Sequence, residues 1–362
     1  RKSRGLGYVY KSQPPAPERK RAMRLGLALG YGGEPIEQVL PIVEHAERIG
    51  VDSVWSVEEY GPDAVSVLGY LAARTERIGL GTAVMQIPAR TPAATAMTAM
   101  TLDVLSEGRF HLGLGLSVPW IVEGWHGQPY DRPLRRTREY VDIVRAAVAR
   151  EERVRYDGEI HQLPYRGPGS SGRARPVRSE MTPLRPRIPL YLGAIGPRNL
   201  ALTGEIADGW LCGLYAPEHE KALTAPLDEG IARAGRSPED VAICPIPYVA
   251  HADTVEEGRE ALRPLFAHLL GAVGPGGRNT YFDVALSMGY EGAARDIRDR
   301  MADGDKPGAV AAVPDRFLEE VALLGPIPAM RDRLAAWRES RVDTLILLDR
   351  DPGLLEVARE VL

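Results

Sequence analysis

Short apolar, β-branched runs alternate with stretches of helical period along most of this chain, and that rhythm restricts the fold more than any other feature. The run at 25–29 is followed by Gly30-Tyr31-Gly32-Gly33 and then by Ile36, Val39, Leu40, Val43 and Ala46, apolar at helical spacing. Gly50 stops that helix, and 51–57 is the next run. A helix over 62–74, a strand over 78–85, a helix over 91–105 and a strand over 109–116 continue the series. Strands joined through crossing helices are parallel and covered on their outer face.

The alternation then loosens. The spacing predicts a long loop over 117–133, an amphipathic helix over 135–150 and an irregular stretch over 151–187 containing Gly167-Pro168-Gly169-Ser170-Ser171-Gly172. Strand and helix signals return at 188–192, 198–206, 209–214, 218–234, 241–250 and 254–272. A second insertion covers 274–325, with a helix around 291–301, before a helix over 328–340 and a strand over 342–348. The strands are then eight: 24–30, 51–57, 78–85, 109–116, 188–194, 209–214, 241–250 and 342–348. That count fits a (β/α)8 TIM barrel with insertions after strands four and seven. A doubly wound sheet is the alternative, but Gly30-Tyr31-Gly32-Gly33 lacks its nucleotide fingerprint.

Length alone, 362 residues, permits one large domain or two ordinary ones; the barrel count favours a single domain over 23–362. Residues 1–22 carry seven basic side chains against Glu18, a net of +6, which leaves 23–362 at −10 of the overall −4. This segment, with Gln13-Pro14-Pro15-Ala16-Pro17, reads as a basic flexible arm without the apolar core of a signal peptide. The acidic body argues against a nucleic-acid binder, and no run approaches the roughly 20 apolar residues needed to cross a bilayer. Cys212 and Cys244 are too few for a disulfide framework or a four-cysteine zinc site, so reduced thiols in the cytoplasm are expected.

A TIM barrel carries its site at the C-terminal ends of the strands. There stand Glu58 and Glu59, of which strand alternation lets one face the pocket as a proton relay. Gly113-Leu114-Gly115-Leu116-Ser117 ends strand four, where interior glycines signal tight packing or close approach of a ligand. Gly193-Ala194-Ile195-Gly196-Pro197 runs from strand five into a helix, and exposed amides there suit a phosphate. Glu123-Gly124-Trp125-His126-Gly127 adds an aromatic plate and an imidazole, while His45 and His111 read as ordinary helix and strand positions. No His-Glu-x-x-His, Gly-x-Ser-x-Gly or P-loop pattern occurs, which disfavours zinc hydrolase, serine hydrolase and P-loop ATPase chemistry.

Gly50-Val51-Asp52-Ser53-Val54-Trp55, Ala73-Arg74-Thr75-Glu76-Arg77-Ile78-Gly79-Leu80-Gly81-Thr82, Ser106-Glu107-Gly108-Arg109-Phe110-His111-Leu112-Gly113-Leu114-Gly115 and Ala207-Asp208-Gly209-Trp210 together resemble the bacterial luciferase-like superfamily of flavin and deazaflavin oxidoreductases. The resemblance covers roughly 24–350. Val122-Glu123-Gly124-Trp125-His126-Gly127-Gln128-Pro129-Tyr130 looks like the branch that uses the deazaflavin coenzyme F420.

The resemblance implies a non-proline cis peptide at Ala83-Val84, beside Met85, backing the cofactor ring. It implies Gly115, Leu116 and Ser117 beside that ring, and Gly193, Ala194, Ile195 and Gly196 around its phosphate. Tyr31, Glu58 or Glu59, Trp125 and His126 are the expected substrate-side and proton-supplying residues. Flavin-using relatives carry an arginine near Gly115, which favours F420 over FMN here. Sugar-phosphate dehydrogenases carry histidine and tryptophan after strand two and glutamate near Val118; Glu59 and Val118-Pro119 depart from that pattern. The implied reaction is hydride transfer between F420 and an unsaturated or carbonyl-type small molecule, in a homodimer, with no metal. The rivals are an FMN-dependent monooxygenase fed by a partner reductase and a cofactor-free binding protein.

Overall fold

The computed structural model describes residues 22–30, 35–272 and 279–362. Apart from Ala22, the basic arm lies outside the described residues, as do Tyr31, Gly32 and Gly33. The strands are β1 (Arg24–Leu29), β2 (Ser53–Ser56), β3 (Gly79–Thr82), β4 (Met85–Gln86), β5 (Phe110–Gly115), β6 (Tyr156–Asp157), β7 (Gln162–Leu163), β8 (Leu190–Gly193), β9 (Gly209–Cys212), β10 (Ala242–Pro245), β11 (Tyr248–His251), β12 (Ala322–Gly325) and β13 (Thr344–Leu347). Eight of them run parallel in the order β10-β9-β8-β5-β3-β2-β1-β13, and β4 extends β3 alongside β5. This is a nearly closed (β/α)8 barrel.

Three aspartates clasp its lower rim by one device. Asp52 accepts the Leu25 amide at 2.9 Å, Asp208 the Leu190 amide at 2.9 Å and Asp343 the Ile243 amide at 2.9 Å. Each aspartate also donates its own amide to the carbonyl of the same residue it clasps. The third clasp joins β13 to β10 and so bridges the seam of the barrel.

Leu25, Leu27, Val54, Leu80, Phe110, Leu112, Leu114, Leu190 and Leu345 face outward into the buried layer shared with the helices. The opposite face of the strands fills the barrel with Ala28, Trp55, Ala83, Tyr191, Leu211, Cys244 and Ile346. Trp55 touches Tyr191 edge-on at 5.3 Å between ring centres, and His111 lies 5.7 Å from each of them. A Cβ at Gly81 would stand 2.3 Å from the Trp55 ring, which accounts for glycine there. The interior is therefore packed.

Burial, with the Arg185 and Arg24 charges, pushes His111 down to about 4, so its ring is neutral at pH 7. An unfolded histidine titrates near 6.5, so the stability tied to the neutral ring is complete above that value and is lost as pH falls toward 4. The urea midpoint of wild type is expected to fall more between pH 7 and pH 4.5 than that of His111→Gln. Equal falls would remove His111 from the acid response.

Four expectations are corrected. The loop over 117–133 contains the helix Pro119–Gly124, whose Ile121 and Val122 are buried. The single strand over 241–250 breaks at Pro245-Ile246-Pro247, where prolines supply no amide for a ladder; β11 leaves the barrel and pairs with β12. β12 had been absorbed into an insertion, which also holds helices Thr280–Ser287, Glu291–Ala302, Lys306–Ala311 and Asp315–Val321. Within 151–187, β6 and β7 form an antiparallel ribbon, held by Glu139 accepting the amides of Glu159, Ile160 and His161. A last helix, Pro352–Val361, is capped by Asp351 and was not foreseen.

Candidate active site at the barrel mouth

β3 ends at Thr82, β4 resumes at Met85, and the Ala83–Val84 peptide between them is cis. Thr82 fixes the approach: its hydroxyl donates to the Gly113 carbonyl at 2.6 Å and accepts the Gly113 amide at 2.8 Å. Val84 packs against the interior cluster from the top. A Cβ at Gly115 would stand 2.3 Å from Val84 Cγ2, and one at Gly193 would stand 3.0 Å from Val84 Cγ1. Both glycines thus make room for Val84, which closes the packed interior and presents a flat apolar seat.

Alternation decides which neighbours reach that seat. Val84 takes the inward position, so Met85 turns outward and is fully buried against the helices. Ala194 is buried in the same layer, and its carbonyl accepts from Trp210 Nε1 at 2.8 Å. Of these two expected cofactor-binding residues, the side chains lie in the helix layer and only the backbone can face the mouth. Leu116 packs on that layer from a half-buried position, and Ser117 follows with a left-handed φ of 59°. Ile195 sends its side chain into a cavity of about 130 Å3 lined also by Trp210, Leu214 and Val284.

The backbone after β8 remains open. Gly196 precedes the helix Pro197–Ile206, and no side chain caps its first turn. The amides of Ile195, Gly196 and Arg198 find no acceptor among the described residues. Unpaired amides at a helix start hold a phosphate well. A seat backed by Val84 and an open amide turn on β8 fit a cofactor with a planar ring and a phosphate.

The two acids part company, as strand alternation requires. Glu58 is buried, and its carboxylate accepts from Arg90 Nη1 at 2.6 Å, Arg90 Nη2 at 3.0 Å, the Ala64 amide at 3.1 Å and the Gln86 amide at 3.2 Å. These four donors occupy both carboxylate oxygens, two on each. Glu58 thereby joins the start of helix Ala64–Ala72, β4 and Arg90. Glu59 is half-buried, and its charge is felt by two tyrosines from other elements. Burial chiefly, and Glu59 in addition, raise the Tyr248 and Tyr281 phenols, so both stay protonated.

Gln86 is buried and joins the rim. It donates through Nε2 to the Glu59 carbonyl at 2.5 Å, and its Oε1 lies 3.2 Å from His126 Nε2. His126 is thereby brought to the strand-three end, whereas Trp125 projects outward with 68% of its surface exposed. The sequence brings Gln86 only within the strand-end segment Ala83–Gln86, with no role, and does not point to Arg90, Tyr248 or Tyr281. A polar residue two places past the Ala83-Val84 bulge was the available signal for Gln86; the tyrosines come from β11 and helix Thr280–Ser287, whose placement no local pattern encodes. Among the described residues no group of three or more His, Cys, Asp or Glu is placed to hold a metal ion, and no helix is long and apolar enough to cross a membrane.

Residues 22–344 match the family model of the luciferase-like monooxygenases. The chain belongs to that family. It is 40% identical over 328 residues, 90% of this chain and 94% of the relative, to the Mycobacterium tuberculosis protein named as coenzyme F420-dependent oxidoreductase Rv3520c. It is 31% identical over 296 residues, 81% of this chain and 84% of the relative, to the 5,10-methylenetetrahydromethanopterin reductase of Methanolobus tindarius. Among solved structures, the F420-dependent tetrahydromethanopterin reductase from Methanopyrus kandleri superposes with a TM-score of 0.71 at 20% identity, covering 94% of this chain and 98% of that one. An F420-dependent secondary alcohol dehydrogenase holding an F420–acetone adduct gives 0.70 at 18% identity, with the same coverage. These structural likenesses speak for the fold.

Proposed function

We propose that this luciferase-like protein is an F420-dependent oxidoreductase acting on an unsaturated or carbonyl-type small molecule. The observation that carries the reading is the mouth itself: Val84 seated on Gly115 and Gly193, beside the unpaired amides of Ile195, Gly196 and Arg198. A relative named as F420-dependent that covers 90% of the chain supports it. When bound, F420 supplies or accepts the hydride. The chain's residues supply position and protons. The Ala83–Val84 peptide and Val84 back the ring, and the amides at Gly196 hold the phosphate. Glu59, His126 and the neutral phenols of Tyr248 and Tyr281 are the groups able to move a proton to or from the substrate. In the reducing direction the carbonyl carbon gains the hydride, the oxygen gains one proton, and the products are an alcohol and oxidised cofactor.

The deciding experiment titrates the protein separately with F420 and with FMN and follows cofactor fluorescence. F420 is expected to bind in the micromolar range or tighter. FMN binding without F420 binding would move the chain to the monooxygenase side of the family, and no binding of either would favour a binding protein.

We also infer that a second copy of the chain covers one outer face. Helices Ala64–Ala72 and Pro92–Leu105 pack side by side and expose Tyr70, Met97, Val104 and Leu105, with Leu184 beside them. The sole acid of these helices, Asp103, is buried against Arg185, and the Arg74–Glu44 pair borders the face at Tyr70. A mainly apolar face of this kind is a common seat for a subunit. Sedimentation equilibrium is expected to give a dimer, and Met97→Arg a monomer with unchanged F420 affinity. A monomeric wild type would end this reading.

A further inference from the structure

The rim over strands two to four exposes three large aromatic rings, and neither the barrel core nor the proposed cofactor seat uses them. Tyr60 follows β2 and is 57% exposed; Trp120, on the helix Pro119–Gly124 after β5, is 63% exposed; Trp125 ends that helix. Tyr60 and Trp120 nevertheless touch, with ring centres 5.8 Å apart and planes inclined by 55°. In the sheet, β3 lies between β2 and β5. The contact therefore joins two loops across the end of β3, where the chain turns through Ala83, Val84, Met85 and Gln86. Val118, 42% exposed, adds an aliphatic edge.

The platform is held from below. Ile121 and Val122, at 3% and 2% exposure, plug the helix Pro119–Gly124 into the fold, so Trp120 is exposed while its backbone is anchored. Gln86 ties the Glu59 carbonyl on the Tyr60 side to His126 on the Trp125 side. A tyrosine and a tryptophan in contact with each other but open to water present an angled aromatic surface. Such clusters at a cleft mark ligand surfaces, since their full burial is worth far more than their present contact.

We propose that Tyr60 and Trp120 form a substrate platform, and that the substrate is an extended, mainly apolar carbonyl compound. Its ring system or chain lies across the rim while its carbonyl end reaches the mouth beside Val84. The proposal rests on the reading of the mouth as an F420 site, because it uses that seat to fix where the reacting end must be. A small polar substrate would leave both rings exposed and gain nothing from them. The hydride and proton balance is that given above: two electrons and two protons arrive as a hydride from the reduced cofactor plus one H+, and the ketone becomes an alcohol.

The test is calorimetric binding of a ketone series, from acetone and cyclohexanone to 2-dodecanone and a tetracyclic steroid ketone, to the protein with and without saturating F420. Wild type is expected to tighten at least tenfold from the smallest to the largest probes. Trp120→Ala and Tyr60→Ala are expected to lose about tenfold for the large probes and little for the small ones. Trp120→Phe should recover most of that loss. Both side chains are exposed, so melting temperatures and F420 affinity should not change. A wild type that binds all ketones alike, binds none, or keeps its size preference in both alanine variants overturns the platform. Loss of F420 binding in wild type overturns the functional reading instead, and the ketone series without F420 still reports on the platform.

Discussion

Gly113→Ala is expected to be the most damaging single methyl group that could be added to this barrel. The new Cβ would stand 1.8 Å from the Thr82 carbonyl oxygen and 2.8 Å from Leu211 Cδ1. The first of these is backbone, so relief requires β3 and β5 to separate where they are paired. Separation also stretches the two Thr82–Gly113 hydrogen bonds, 2.6 and 2.8 Å long, in a site without water access. Overpacking alone typically costs about 1–3 kcal/mol. Each loosened buried hydrogen bond adds about 1 kcal/mol. A combined loss of roughly 4 kcal/mol is large against the 5–15 kcal/mol of an ordinary domain. Urea unfolding followed by circular dichroism should place the Gly113→Ala midpoint far below wild type, or the variant should fail to accumulate in soluble form. Gly124→Ala is the control: its Cβ would meet nothing within 4 Å, and its stability should match wild type. A Gly113→Ala protein within about 1 kcal/mol of wild type would show that β3 yields freely, contrary to close packing at this seam.

What was legible in the sequence follows from how local each determinant is. The barrel strands could be read because each is a short apolar run bounded by its own glycine or aspartate. The Asp52, Asp208 and Asp343 clasps stand directly before β2, β9 and β13, so two of the motifs that carried the family resemblance, those with Asp52 and Asp208, are also hydrogen-bond anchors of the rim. The cis peptide at Ala83–Val84 was reached by resemblance alone; no propensity of Ala or Val points to it. Strand alternation correctly separated Glu58 from Glu59 but could not say which faced the pocket. That choice depends on Arg90, 32 positions from Glu58, whose guanidinium claims one acid for the fold. β12 was missed because its four residues merge with the apolar end of the helix Asp315–Val321. Its strand identity comes from pairing with β11, after Pro245 and Pro247 have turned that segment out of the barrel.

Removing the Glu58 carboxylate should unfold the rim without removing a proton donor. In Glu58→Ala, Arg90, 21% exposed at its side chain, loses both charge-assisted bonds, and the Ala64 and Gln86 amides lose their acceptor. Breaking a buried ion pair by deleting one partner costs about 3–5 kcal/mol, because the other charge is left behind. Gln86 carries the links to the Glu59 carbonyl and His126, so the mouth loosens with it, and F420 affinity is expected to fall as a consequence. Glu58→Gln keeps the shape and one oxygen, and its loss should be smaller. Glu58→Leu combined with Arg90→Met should be more stable than Glu58→Leu alone, since no charge is then stranded. Kinetics separate this role from chemistry. A proton donor contributes about 10²-fold or more to kcat and imposes a limb on the pH profile. An anchor does neither in the folded fraction. Glu58→Gln, assayed below its melting transition with F420 saturating, should keep kcat within a few-fold and keep the wild-type pH profile. Glu59→Gln should lower kcat and alter that profile. The reverse pattern, with Glu58→Gln losing the limb at full stability, would return Glu58 to the reaction and make Arg90 the group that tunes it.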